Sequence, residues 1–359
     1  MLILVSSGFS MARPVEFERV IVGFEKGIDK NVIQNTEGKV VKEFDFINAV
    51  VMELPAHTVQ TMESHPNVKY VEPDAEVKAL NQTVPWGIDR VNAPDVHSDN
   101  QYGDGIRVSV LDTGILLNHE DLNVMGGYSV FGGSYNDDNG HGTHVAGTIA
   151  ALDNHYGVIG VSPQVDLYGV KVLDSRGSGS YSGIIEGIYW SMNNNMDIIN
   201  MSLGGSVGSV ALEDACNAAT DAGLLVVAAA GNSGNFFGWG DNIGYPAKYP
   251  SVMAVGSTTS SDSRSSFSST GPDLEIMAPG SNILSTTYNG GYGSMSGTSM
   301  ACPHAAGVAA LVWSANENLT NQQVRDIIND SANDMWNNPS RYGNGLIDAH
   351  EAYLYAISY

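Results

Sequence analysis

From residue 105 to residue 256 the chain alternates short apolar runs with amphipathic ones, and this alternation restricts its fold more than any other feature. Residues 105–112, 165–172, 196–201, 224–229 and 252–256 read as strands. Between them a segment opened by Gly140-His141-Gly142-Thr143-His144, then residues 182–193 and 211–222, read as helices. Strands separated by helices are joined by right-handed crossovers, which makes a mostly parallel sheet covered on both faces. In an open sheet of this kind ligands bind outside the carboxyl ends of the strands. Asp112, His141, Asn232 and Ser299 fall at such ends or at adjacent helix starts. A serine, a histidine to deprotonate it and an aspartate to set the histidine tautomer are the parts of acyl-transfer catalysis, and an amide donor completes them. Singly, each has an ordinary alternative: an Asx turn for Asp112, a helix cap for His141, a tight turn beside Gly231 for Asn232.

The stretch Gly297-Thr298-Ser299-Met300-Ala301-Cys302-Pro303-His304 lies between a Gly/Ser-rich run, Asn289 to Ser294, and an apolar helix pattern over 305–315. Ser299 is therefore expected where a mobile loop meets a helix start, with free backbone N–H groups and the positive end of the helix dipole nearby. It is a nucleophile or an ordinary N-cap.

Composition narrows the classes. The chain has 359 residues, 43% of them hydrophobic, and a net charge of −23. Residues 81–359 carry 27 acidic and 8 basic side chains, an acidic body that would repel nucleic acid and anionic membranes. Two cysteines, Cys216 and Cys302, exclude a disulfide-dense scaffold and fit no zinc spacing, so buried thiols are expected. Met1-Leu2-Ile3-Leu4-Val5 is too short to span a membrane, and residues 1–16 read as an N-terminal extension, a remnant of a signal peptide.

Residues 17–80 differ in texture. Strands over 17–24, 40–46, 49–54 and 68–71 and helices over 28–36 and 57–64 give the order βαββαβ, a small α+β ferredoxin-like unit. So short a unit with few apolar side chains has a marginal core on its own. Residues 72–80 read as an exposed tail.

Four stretches resemble the subtilisin-like serine proteases: Val110-Leu111-Asp112-Thr113-Gly114-Ile115, His141 to Gly147, Ala229-Ala230-Gly231-Asn232 and Gly297-Thr298-Ser299-Met300, in the family's order. The likeness runs from Gln82 to about Ala352, through Asn200 to Gly205 and Tyr245 to Pro250. It implies a three-layer α/β catalytic domain over 81–359 with Ser299 as nucleophile, His141 as general base, Asp112 as orienting acid and Asn232 as oxyanion donor. His144 becomes a packing residue. Gly177, Gly179, Ser202 and Gly204 are implied to pair with an extended substrate backbone. Ala229, Gly231 and Gly244 are implied to wall the pocket for a large apolar residue before the cut, and Tyr181 and Leu203 a second apolar pocket. Ser233 stands at the rim where some relatives carry an acid, so basic side chains are expected to bind weakly. Asn235 to Gly240 departs from these relatives and is a packed loop or a substrate-contacting one.

The resemblance also makes residues 17–80 a pro-domain, an intramolecular chaperone and inhibitor, cut from the mature body between Leu80 and Asn81. The loop 152–158 is expected to interrupt the helix that follows His141, and the resemblance implies a calcium ion in it, bound by the Asn154 side chain and the carbonyls of Leu152, Tyr156 and Val158, with Gln82 and Asp121 reaching in. The expected protein is a secreted, monomeric endopeptidase acting on proteins and peptides, with no nucleic-acid or membrane partner. An inactive binding protein on the same fold predicts a broken triad, and none of the four positions is broken. No G-x-G-x-x-G follows residues 105–112, and no H-E-x-x-H is present, which removes dinucleotide and metalloprotease readings.

Overall fold

The computed structural model describes residues 17–75, 82–335 and 338–359. The chain divides into two compact units, with the boundary after residue 79. Leu80 and Asn81, the expected cleavage pair, lie outside the described residues.

The first unit runs β1 (Phe17–Phe24), α1 (Lys30–Gln34), β2 (Lys39–Phe44), β3 (Ala49–Pro55), α2 (Ala56–Glu63) and β4 (Val68–Pro73). Its antiparallel sheet has the order β2-β3-β1-β4, with Val20 opposite Met52 and Val22 opposite Val71. A single 3₁₀ turn, Asp45–Ile47, links β2 to β3 and ends on Asn48 in the left-handed region at φ 52°. Asn tolerates that conformation better than most residues. Val20, Val22, Phe24 and Leu54 form the core with Val32 and Met62 from the helices. This is the ferredoxin-like α+β unit.

The second unit opens with two short helices, α3 (Trp86–Arg90) and α4 (Ala93–Ser98). Then follow β5 (Arg107–Asp112), β6 (Val124–Ser129), α5 (His141–Ala150), β7 (Asp166–Lys171), α6 (Tyr181–Asn193), β8 (Ile198–Met201), α7 (Val210–Asp221), β9 (Leu225–Ala229), β10 (Val252–Thr258) and β11 (Ile276–Pro279). A hairpin, β12 (Ile283–Thr286) and β13 (Tyr292–Met295), leads to the long helix α8 (Thr298–Ala315). The chain closes with α9 (Asn321–Asp330), α10 (Pro339–Tyr342) and α11 (Ala349–Ser358).

The central sheet has the order β11-β10-β9-β8-β5-β7-β6, and every pairing is parallel. Period-two alternation sorts its side chains into two cores. Val108, Val110, Ile198 and Val227 face α5 and α8, whereas Leu111, Ile199, Val226 and Ala228 face α6 and α7. Each fully buried aliphatic side chain contributes about 1.5–3 kcal/mol, so the layers are held mainly by this burial. β7 and β8 flank β5 on opposite sides, and the crevice outside their carboxyl ends is where Asp112 emerges.

Two local expectations are corrected. The Gly/Ser-rich run is not a loose loop: Tyr292–Met295 pairs with Ile283–Thr286 as β13. The hairpin is tied to α5, because Ser285 Oγ donates to His144 O (2.8 Å) and Thr286 Oγ1 to Thr143 O (2.8 Å). Tertiary hydrogen bonds here override the weak strand preference of glycine and serine. Nor does the loop 152–158 interrupt a helix. α5 ends at Ala150, and the chain reaches β7 without resuming it.

Candidate active site

Asp112 is the last residue of β5 and is fully buried. His141 is the first residue of α5, and its Nδ1 lies 2.8 and 2.9 Å from the two Asp112 carboxylate oxygens. A carboxylate only accepts, so Nδ1 carries the proton and Nε2 is left as the acceptor. The close approach of β5 and α5 needs glycine at 142, where a Cβ would meet Gly114 O at 2.1 Å. Burial works to lower the pKa of His141, but the charge and hydrogen bond of Asp112, helped by the charge of Asp137, leave it raised.

Asp137 and Lys171, which the sequence reading passed over, build the frame of this pair. The buried Asp137 carboxylate accepts from the backbone N–H groups of Asn139, Gly140 and Thr143, each at 2.9 Å, and from the hydroxyls of Thr113 (2.8 Å) and Thr143 (2.5 Å). It thereby places an anion at the N-terminus of α5, where the dipole favours one. Lys171 Nζ donates to Thr113 O (2.7 Å), Leu173 O (2.9 Å) and Asp138 Oδ1 (2.6 Å). The available signals were an acidic pair just before a helix start and a lysine ending an apolar strand.

Ser299 is the second residue of α8. Pro303 stands four residues on and has no N–H to return to the Ser299 carbonyl. Ser202 Oγ fills that role at 2.8 Å, and Ser299 Oγ donates to Ser202 O at 3.1 Å. This reciprocal pair fixes the serine against the segment after β8. The hydroxyl is thus held on Ser202 rather than on His141. Asn232 Oδ1 accepts from Thr298 N (2.9 Å) and Thr298 Oγ1 (3.1 Å), which makes Nδ2 the donor end of the side chain, and Asn232 and Ser299 line the same cavity.

Two cavities meet at Leu203-Gly204-Gly205. One, about 710 Å³, is lined by His141, Gly177, Gly179, Tyr181 and Ser202. The other, about 570 Å³, is lined by Asn232, Ser299, Ala229, Gly231 and Gly244. All the expected substrate-contacting residues therefore fall on one or both. The second cavity also holds an ion pair that the sequence reading missed, Lys248 Nζ to Asp241 Oδ2 at 2.6 Å, so it is not devoid of acid although Ser233 is neutral.

Residues 103–345 match the model of the Subtilase family. The chain is 48% identical over 345 residues to Subtilisin amylosacchariticus of Bacillus subtilis subsp. amylosacchariticus, covering 93% of this chain and 90% of that protein. It is 49% identical over 339 residues to Alkaline elastase YaB of Bacillus sp. (strain YaB), covering 94% and 87%, and 49% identical over 335 residues to the Thermostable alkaline protease of Halalkalibacterium halodurans, covering 93% and 91%. The chain belongs to the subtilase family. It is a serine endopeptidase, and its residues 18–74 match the Fervidolysin N-terminal prodomain.

Elsewhere in this subtilase, the six residues expected around calcium converge. Gln82 Nε2 donates to Leu152 O (2.5 Å) and Val158 O (3.1 Å), and Asn154 Nδ2 to Asp121 Oδ1 (2.8 Å). Asn154 Oδ1 accepts from Tyr156 N (3.2 Å) and Asp121 Oδ2 from Val158 N (3.0 Å). Burial holds the Asp121 carboxyl above the usual range despite these neutral donors. The donor set, one carboxylate with amide and carbonyl oxygens, fits a hard cation, and turning the two amides by 180° presents oxygen where nitrogen now bridges. Among the described residues no group of three or more His, Cys, Asp or Glu side chains gathers for a metal, and no helix is long and apolar enough to cross a membrane. Both cysteines are buried and free, and burial pushes the Cys216 thiol up to about 12.

Proposed function

We propose that Asp112, His141 and Ser299 form the catalytic triad of this endopeptidase, a reading supported above all by the Asp112–His141 hydrogen bond at the carboxyl edge of the sheet. His141 Nε2 takes the Ser299 proton as Oγ attacks the scissile carbonyl, then gives it to the leaving amine. Asp112 keeps the ring oriented and stabilises the imidazolium without taking the proton. Asn232 Nδ2 and the Ser299 N–H, a free donor at the start of α8, meet the oxyanion. The substrate runs as an added strand between Gly177–Gly179 and Ser202–Gly204. Ala229, Gly231 and Gly244 leave room for a large apolar side chain before the cut, while Tyr181 and Leu203 receive an apolar residue three positions upstream.

Residues 17–80 act as chaperone and inhibitor of the body over 81–359, and the precursor cuts itself between Leu80 and Asn81. Calcium bound by Gln82, Asp121, Leu152, Asn154, Tyr156 and Val158 would supply positive charge to the buried Asp121 and tie the mature N-terminus to the loop after α5. The mature enzyme is a secreted monomer. Mass spectrometry of the purified protein with and without Ser299→Ala tests the scheme: the wild type begins at Asn81, and the variant stays full length. A variant that still processes itself removes Ser299 from the mechanism.

A further inference from the structure

The loop after Asn232 carries three large rings that the substrate cavities do not use. Phe236, Phe237 and Trp239 are 79%, 60% and 70% exposed. They form one ladder, with Phe236 edge-on to Phe237 at 5.5 Å and Phe237 stacked on Trp239 at 5.2 Å. Apolar side chains exposed singly are ordinary, but adjoining aromatic rings mark a binding surface.

The backbone beneath them is held firmly. The buried Arg264 guanidinium donates to the carbonyls of Asn235 (2.5 Å) and Phe236 (3.3 Å), and also to those of Ser265 and Ser268. Asn235 Nδ2 closes the turn on Trp239 O (2.7 Å), and Trp239 N returns to Asn235 Oδ1 (3.3 Å). Gly238 adopts φ 66°, where a side chain would be strained and would also meet Arg264. The turn is thus built to present the rings outward, so little ordering remains to be paid on binding.

We propose that this ladder is an exosite for apolar segments of unfolded protein substrates, engaging chain beyond the residues in the cleft. The inference rests on the endopeptidase reading. Its ground for choosing this occupant is continuity: both ends of the loop, Ser233 and Asp241, line the cavity that holds Ser299. A substrate anchored in that cavity by the side chain before the cut holds its scissile bond next to this loop, so chain that continues past the cleft comes within reach of the ladder. Rigid aromatic rings offer large contact area to apolar chain at low entropic cost and need no fixed sequence. Attachment at a second point raises the local concentration of scissile bonds.

The test compares two substrates with the mature enzyme and with the variant carrying Phe236→Ser, Phe237→Ser and Trp239→Ser. A short peptide anilide reaches only the cleft, whereas reduced, carboxymethylated lactalbumin also reaches the loop. For the variant, kcat/KM on the unfolded protein should fall about tenfold, mainly through KM, with the short peptide unchanged. Equal losses on both substrates would mean that the loop merely shapes the pocket, and no loss on either removes the exosite. Hydrolysis of the short peptide by the wild type reports the endopeptidase reading separately. With the mature enzyme inactivated at Ser299 by a fluorophosphonate, the same lactalbumin should co-sediment with it at concentrations where the triple variant, treated alike, binds none. Sedimentation of the wild type as a dimer and the triple variant as a monomer would assign the ladder to a second copy of the chain and overturn the proposal.

Discussion

Two buried carboxylates stand at opposite ends of α5. Asp112, before its N-terminus, meets an ionisable partner: His141 Nδ1 sits on both of its oxygens, and Thr113 N adds a third bond at 2.7 Å. Asp121, beside the loop that follows its C-terminus, meets neutral donors, the Asn154 amide, the Val158 N–H and the Tyr292 hydroxyl. Both are removed from water. The desolvation of the first is compensated by a group that gains a proton during the reaction. That of the second leaves a carboxyl whose pKa is raised, which is the condition a bound cation relieves. A buried charge is thus read from what faces it: one arrangement serves proton transfer, the other a stabilising ion.

The largest effects lie at the first carboxylate. Ser299→Ala should lower kcat by about 10⁶-fold, the size recorded for the same change in subtilisin. Asp112→Asn should cost about 10⁴-fold, because the amide permits the wrong tautomer. The two variants separate the nucleophile from the group that orients its base. In the wild type the base works only when neutral, and its pKa is raised from 6.5, so the rising limb of kcat/KM should lie above pH 6.5. Removing the Asp112 charge should move that limb to lower pH. A limb that stays in place means that Asp112 does not set the ionisation of His141, and the contrast between the two carboxylates then fails.

How much of this was legible follows the same division. The alternation of strands and helices, the ends of β5 and β9, and the starts of α5 and α8 were readable because local periodicity and position in a parallel sheet decide them. β6 escaped notice because Gly126-Gly127 erases the strand signal in a segment held at the sheet edge by pairing with β7. The β12–β13 hairpin escaped because its support comes from Thr143 and His144, far away in sequence. The helices α9 and α11 follow α8 and were not singled out. Within the site, Asp112, His141, Asn232 and Ser299 were findable as residue types at expected places. Asp137, Lys171 and the Asp241–Lys248 pair were not, since what they touch is decided by packing. The bond from Ser202 Oγ to the Ser299 carbonyl, which Pro303 leaves without a helical donor, joins segments far apart in the sequence and is visible only once both are placed.

The second carboxylate predicts a stability effect rather than a rate effect. An ion that binds only the folded state stabilises it by RT ln(1 + [Ca²⁺]/Kd), about 4 kcal/mol at a thousandfold excess over Kd. Melting of the Ser299→Ala protein, which avoids self-digestion, should therefore fall when EDTA replaces millimolar calcium. Asp121→Ala should melt low in both conditions. Coincident curves for the parent would leave Asp121 with no ion to relieve it. Asp112→Asn, by contrast, should leave the calcium dependence intact.

The smallest effect concerns a second histidine on α5, one turn beyond His141. His144 is fully buried, and its Nε2 donates to the carbonyls of Ile283 (2.9 Å) and Gly293 (3.1 Å). Burial lowers its pKa to about 4, and burial likewise lowers that of His304 on α8 to about 4. His141, raised by Asp112, behaves oppositely: its share of stability is present below pH 6.5 and is lost as pH rises through its folded value. For His144 and His304 the unfolded chain takes protons that the folded one refuses. Their contribution is complete above pH 6.5 and is lost as pH falls toward 4, at about 2 kcal/mol each by pH 5. Denaturant midpoints of Ser299→Ala should drop between pH 7 and pH 5, and His304→Gln, which cannot titrate, should remove its own part of that drop, about 2 kcal/mol. Identical slopes for the two proteins would show that His304 takes up its proton over the same pH range in the folded and the unfolded chain. The charge of a histidine on these helices would then be set by something other than whether a carboxylate faces it.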